Sequence, residues 1–87
     1  LKFLDLSYNG FSGEIPSSVA NLQNLEHFAI RNNQLSGSIP ASIGNLHQLQ
    51  HFGASYNQLS GLIPAELAGL QNLVECELVV NQISCPN

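Results

Sequence analysis

The stretch Leu25-Glu26-His27-Phe28-Ala29-Ile30-Arg31-Asn32-Asn33-Gln34-Leu35-Ser36-Gly37-Ser38-Ile39-Pro40 decides the architecture, because its pattern recurs 24 residues to either side. Upstream, Leu1, Asn9, Phe11-Ser12-Gly13 and Ile15-Pro16 fill the same columns. Downstream, Leu49, Asn57, Leu59-Ser60-Gly61 and Ile63-Pro64 fill them again, and no gap is needed. A fourth copy starts at Leu73 and keeps Asn81, Ile83 and Ser84. Residues 1–24, 25–48, 49–72 and 73–87 therefore read as four repeats, the last one partial. A period of this length marks a solenoid: one repeat cannot bury its apolar face alone, so neighbouring coils share a core.

Within each repeat the columns carry distinct physical demands. Leu-x-x-Leu-x-Leu, as in Leu1, Leu4 and Leu6, alternates apolar and polar residues through its middle, which is the signature of a half-buried strand. Stacked in register, one such strand per coil builds a parallel sheet along one side. Asn9, Asn33, Asn57 and Asn81 end the strands. An inward Asn at that bend can serve backbone groups that the turn removes from the sheet, so the four are expected to form a buried ladder. The Ser-Gly-x-Ile-Pro segment that follows reads as extended backbone, since Gly suits a positive φ and Pro has no N–H to donate. Beyond it, Pro16, Pro40 and Pro64 sit where a helical turn can begin, and Asn21, Asn45 and Gly69 where it can stop. The inward set of the second coil is then Leu25, Phe28, Ile30, Leu35, Ile39, Ile43 and Leu46. Gly53 and Ala54 replace larger residues in the third coil, which predicts an underpacked strand there.

These columns resemble the plant-specific class of leucine-rich repeat. Phe11-Ser12-Gly13-Glu14-Ile15-Pro16, Leu35-Ser36-Gly37-Ser38-Ile39-Pro40 and Leu59-Ser60-Gly61-Leu62-Ile63-Pro64 carry the most diagnostic part of that pattern. The resemblance implies an α/β solenoid: a right-handed coil with a short parallel sheet on its concave side and an irregular or short-helical convex side. It also implies a protein- or peptide-binding role. Such repeats occur in the extracellular recognition regions of plant receptor-like kinases and receptor-like proteins in signalling and defence, and in polygalacturonase-inhibiting proteins. Three alternatives stay open beside the receptor reading: an inhibitor-like module, an ice-binding solenoid, and a truncated array with no activity of its own. The ice-binding reading is opposed by the absence of Thr and by the inward course of the Asn column. Working arrays of the family usually carry more coils, so the chain is expected to be a piece of a longer array, anchored or free outside the cell.

Charge narrows the field. The net charge is −4, and Lys2 and Arg31 are the only fixed cations. Binding to nucleic acid or to an anionic membrane surface needs clustered Lys and Arg, so neither is expected. No segment is apolar and long enough to insert into a membrane. The Ser residues are explained by their repeat columns. No Ser–His–Asp set, phosphate loop or metal-ligand spacing stands above the repeat, so no enzyme and no cofactor are expected. Cys76 occupies an inward strand position and Cys85 falls in the Gly column. They either pair, as Cys residues often do at the ends of secreted arrays of the resembled family, or stand as a small buried residue and a free thiol.

Function is sought on the solvent face of the strands. The column of Phe3, His27, His51 and Glu75 lies beside those of Asp5, Ala29, Gly53 and Glu77, of Ser7, Arg31, Ser55 and Val79, and of Tyr8, Asn32, Tyr56 and Val80. Tyr8, His27, Arg31, His51, Tyr56 and Glu75 are the candidate ligand-binding residues, because Tyr and Arg are enriched in interface hot spots. His27, His51 and Glu75 also form a set able to hold Zn²⁺, although stacked imidazoles on neighbouring strands need no metal. An acidic group of a ligand is expected to pair with Arg31 between the two Tyr residues.

Overall fold

The computed structural model describes residues 1–61, 64–79 and 81. Seven strands and three 3₁₀ turns follow one another coil by coil. They are β1 (Phe3–Asp5), β2 (Ser12–Glu14), a turn at Ser17–Asn21, β3 (His27–Ala29), β4 (Gln34–Gly37), a turn at Ala41–Asn45, β5 (His51–Gly53), β6 (Gln58–Leu59), a turn at Ala65–Gly69 and β7 (Glu75–Glu77). β1, β3, β5 and β7 form one parallel sheet in sequence order. Its register keeps the repeat: Phe3 faces His27, His27 faces His51, and His51 faces Glu75. Leu4, Phe28, Phe52 and Cys76 thus stack on the inner face, and the Phe28 and Phe52 rings lie 5.8 Å apart. Phe28 and Phe52 are buried, whereas Leu4 and Cys76, in the outer coils, are half-buried.

A second parallel sheet, β2–β4–β6, was not expected. Its register is offset: Ser12 faces Gln34, and Gly37 faces Leu59. The stretch is extended as expected, but it does form a ladder, because Pro16, Pro40 and Pro64 stand beyond the strands and cost them no donor. Gly13 and Gly37, both at positive φ (88° and 76°), bend this segment toward the turns. Each 3₁₀ turn is entered through an extended Pro and ends at Asn21, Asn45 or Gly69. One turn of five residues is as much helix as the 24-residue period leaves room for.

All seven inward residues of the second coil are buried, Leu25, Ile43 and Leu46 completely. The first coil has neighbours on one side only: Leu1 is 67 % exposed and Phe11 47 %, although both occupy core columns. The underpacking expected around Gly53 and Ala54 takes another form. Ala54 is fully buried beneath the wholly enclosed Phe52. Gly53 faces outward, and the space its missing side chain leaves is occupied by the Arg31 guanidinium.

The Asn column works as a backbone-satisfying ladder in the middle coils. Asn57 Nδ2 donates to the carbonyls of Ile30, Ala54 and Ser55, while its Oδ1 accepts the Leu35 N–H at 3.1 Å. Asn33 Oδ1 accepts from both Asn9 and Phe11, and its Nδ2 reaches Leu6, Ile30 and Arg31 carbonyls. Asn33 and Asn57 are buried. Asn81 is half-buried, with Oδ1 taking the Leu59 N–H. Asn9 departs from the expected burial: it is exposed and bonds only the carbonyls of Leu6 and Ser7 in its own turn, since no described coil precedes it.

Candidate functional site

The outer face of the four-stranded sheet gathers the candidate residues because strand alternation sends every second side chain there. His27 and His51 start β3 and β5, and Glu75 starts β7. Together with Phe3 they form one continuous column. Phe3 stacks on His27 at 4.1 Å between ring centroids and 4° between planes. His27 meets His51 at 5.2 Å with a tilt of 44°. His51 Nδ1 then lies 2.6 Å from Glu75 Oε1. The chemistry changes along the column from apolar ring through imidazole to carboxylate. Among the described residues no group of three His, Cys, Asp or Glu is arranged to hold a metal ion, so the zinc reading of this column has no geometric support.

Arg31 follows the end of β3 and sends its guanidinium across β5 to Glu77 on β7. Nε donates to Glu77 Oε1 at 2.8 Å, and Nη2 closes on the same oxygen. The reach is possible because Gly53 lies beneath: a Cβ there would stand 2.8 Å from Arg31 Cζ. Arg31 is thus not the unengaged cation that the sequence reading supposed. Glu77 and Gly53 were overlooked as functional partners of Arg31. The signal was present, since the one Arg of the face and Glu77 sit two coils apart with a Gly between them, but side-chain length had not been weighed against strand spacing.

Asp5 and Ser7 complete the first-coil edge of the face. The Ser7 N–H donates to Asp5 Oδ1 at 3.0 Å, and Ser7 Oγ accepts the Arg31 N–H at the same distance. The bonds from Ser7 hold the Asp5 carboxyl below the ordinary carboxylate value, with smaller contributions from the positive charge of Arg31 and from His27.

Tyr8 and Tyr56 stand apart from the His column, at the turn that ends the strands. Both have left-handed backbone at φ 62°, as does Asn32 between them at φ 56°. Their N–H groups are tied to the next coil: Tyr8 to the Arg31 carbonyl at 2.9 Å, Asn32 to Ser55 at 3.0 Å, and Tyr56 to Val79 at 2.9 Å. The rings are 77 % and 51 % exposed. The structure therefore brings His27, His51 and Glu75 together, engages Arg31 with Glu77, and leaves the two Tyr residues as separate projections. Cys85 lies outside the described residues, and with it the expected Cys76–Cys85 pair.

The same geometry recurs in proteins of known structure. In the complex of BIR3 and SERK2 from Arabidopsis thaliana, the matched chain is 38% identical with a TM-score of 0.89. The match covers 92% of this chain and 43% of that one. The plant peptide hormone receptor RGFR1, solved with RGF2, is 43% identical with a TM-score of 0.91, over 93% of this chain and 13% of the receptor. The ectodomain of the Arabidopsis receptor kinase HAESA, solved with an IDA peptide hormone, is 41% identical with a TM-score of 0.84, over 88% of this chain and 13% of that one. The likeness is not confined to plants: a Leptospira interrogans repeat protein is 33% identical with a TM-score of 0.81, over 93% of this chain and 20% of that one. The chain thus spans less than half of each of these proteins. No curated protein sequence matches it. Residues 1–59 match the leucine-rich repeat family. With the 24-residue register, the Asn ladder and the stacked parallel strands, that match makes the chain a member of the leucine-rich repeat family.

Proposed function

We propose that the chain is a peptide- or protein-binding module of a plant receptor-like extracellular array, and that it reads its ligand on the concave, outer face of the four-stranded sheet. The observation that carries this reading is the concentration of His27, Arg31, His51, Glu75 and Glu77 on one face spanning three coils, with Tyr8 and Tyr56 at its margin. Two of the similar receptors were solved with peptide hormones, which supports a polypeptide ligand. Arg31 is the recognition residue in this reading, and Glu77 holds its place until a ligand carboxylate takes over the guanidinium. Exchanging one carboxylate for another conserves charge-assisted hydrogen bonds, and so an internal partner sets the threshold without abolishing binding.

The test is calorimetric titration with peptides bearing a free C-terminal carboxylate, against their amidated counterparts. Arg31→Ala should weaken the free-acid peptide by roughly 2 kcal/mol if Arg31 is a hot spot. Glu77→Gln should tighten it by releasing the guanidinium, and Gln23→Ala, on an exposed turn, should change nothing. Protonated imidazoles at His27 and His51 add positive charge beside Arg31, so the same titration should tighten in mildly acidic buffer. Equal affinity of wild type and Arg31→Ala at both pH values would put the ligand elsewhere.

A further inference from the structure

The turn that ends each strand accounts for Asn32 but not for Tyr8 and Tyr56. A left-handed backbone favours Gly and Asn, and an aromatic residue gains nothing from it. Asn32 is the residue type this position calls for, yet the coils on either side carry Tyr at the same φ. Packing does not explain the rings either. They are among the most exposed large side chains, and neither stacks on another aromatic among the described residues. The backbone beneath them is nonetheless rigid, since each N–H is bonded to a carbonyl of the following coil. Two exposed rings on fixed mounts are preorganised anchors.

Their spacing selects the conformation of what they hold. Tyr8 and Tyr56 are two coils apart, and the hydrogen-bonded ladder sets that separation at about 9.6 Å, twice the interstrand spacing. An extended β-peptide running along the solenoid axis repeats a face at about 6.7 Å or 13.4 Å and misses both anchors. An α-helix comes back at about 10.5 Å after seven residues, with its carbonyls already used internally. A polyproline II chain repeats its face every three residues, at about 9.3 Å. It also has no internal hydrogen bonds, so its carbonyls are open to donors such as the Asn32 amide and the two phenol hydroxyls.

We propose that Tyr8 and Tyr56 form a two-point seat for a proline-rich segment of a partner protein in polyproline II conformation, with rings i and i+3 on the two tyrosines and Asn32 beneath the residues between them. This deepens the peptide-binding reading and rests on it only in taking the partner to be a polypeptide; it does not use Arg31. The test is an NMR titration of the full 87-residue chain with an acetylated, amidated hexaproline peptide flanked by serines. A Gly-Ser peptide of equal length is the control. Hexaproline should shift the backbone signals of Tyr8, Asn32 and Tyr56, and the control should not. Tyr8→Asn and Tyr56→Asn install the residue already accepted at Asn32, so the fold is kept. Each should weaken hexaproline binding by about tenfold or more, while Tyr56→Phe should retain most of it. Equal shifts by both peptides, no binding of hexaproline, or Asn variants that bind like wild type would each overturn the seat. The free-acid peptide is titrated in parallel. If it binds wild type and both Asn variants alike while hexaproline fails, the seat is wrong and the Arg31 reading stands. If hexaproline binds and Arg31→Ala leaves the free-acid peptide unaffected, the reverse holds.

Discussion

Asn57 and Asn9 occupy the same column, and the difference between them isolates what the ladder contributes. Asn57 is buried and serves the Leu35 N–H together with carbonyls from two coils. Asn9 is exposed and serves its own turn alone. Asn57→Ala strands buried backbone groups and should cost about 1–3 kcal/mol or more in urea denaturation, whereas Asn9→Ala, with water at hand, should cost a few tenths of that. Comparable losses would mean that the Asn side chains do not replace the missing ladder bonds. Asp5 supplies a pH-dependent test. Its carboxyl is held below its unfolded value by Ser7 and by Arg31. Such a group stabilises the folded chain above the unfolded value and loses that contribution as pH falls through the folded one. Asp5→Asn should therefore melt lower than wild type at about pH 7, and the two should converge at about pH 2, below both values. A difference that persists unchanged in acid would assign the effect to packing.

At the scale of elements, legibility followed burial. The inner strand residues Phe28, Ile30 and Phe52 alternate with polar neighbours and sit against a core, so their periodicity announced β3 and β5 and their register. The 3₁₀ turns were equally readable, because Pro40 and Asn45 punctuate them and Ile43 between is apolar. The second sheet was hidden for a physical reason. Ser12, Gly13 and Glu14 of β2 are all exposed, and a strand without a buried face leaves no alternation to read. Its offset register also departs from the 24-residue column alignment, so stacking equivalent residues does not reveal the pairing. The candidate site was legible as a set of columns and not as contacts. That His27, His51 and Glu75 would meet follows from strand stacking. That Arg31 would pass over Gly53 to Glu77 depends on rotamers and on how far a guanidinium reaches across two strands, neither of which is encoded in a period.

For the whole molecule, stability depends on coils covering one another. Leu1, Phe3, Leu6 and Phe11 are all exposed in the first coil, and a shallow cavity lined by Leu4, Phe11, Ile15 and Val19 opens beside them. An apolar surface of this kind invites association. The 87-residue chain is therefore expected to self-associate with rising concentration in sedimentation experiments. A consensus 24-residue coil fused ahead of Leu1 should raise the melting temperature and suppress that association. A chain that stays monomeric and melts cooperatively at high temperature without the added coil would show that the exposed first coil costs little.

The Arg31–Glu77 pair has a thermodynamic consequence of its own. A solenoid behaves as a one-dimensional lattice in which each unit feels only its immediate neighbours. A guanidinium that joins the second coil to the fourth adds a coupling that skips a site. Partial unfolding from the fourth coil inward must then break a bond to a unit that is still folded, and the third coil is held from above as well as from its flanks. The ion pair is half-exposed, so this coupling is small, about 1 kcal/mol or less. In a short lattice, even a small term between non-adjacent units sharpens the transition from fraying toward all-or-none melting.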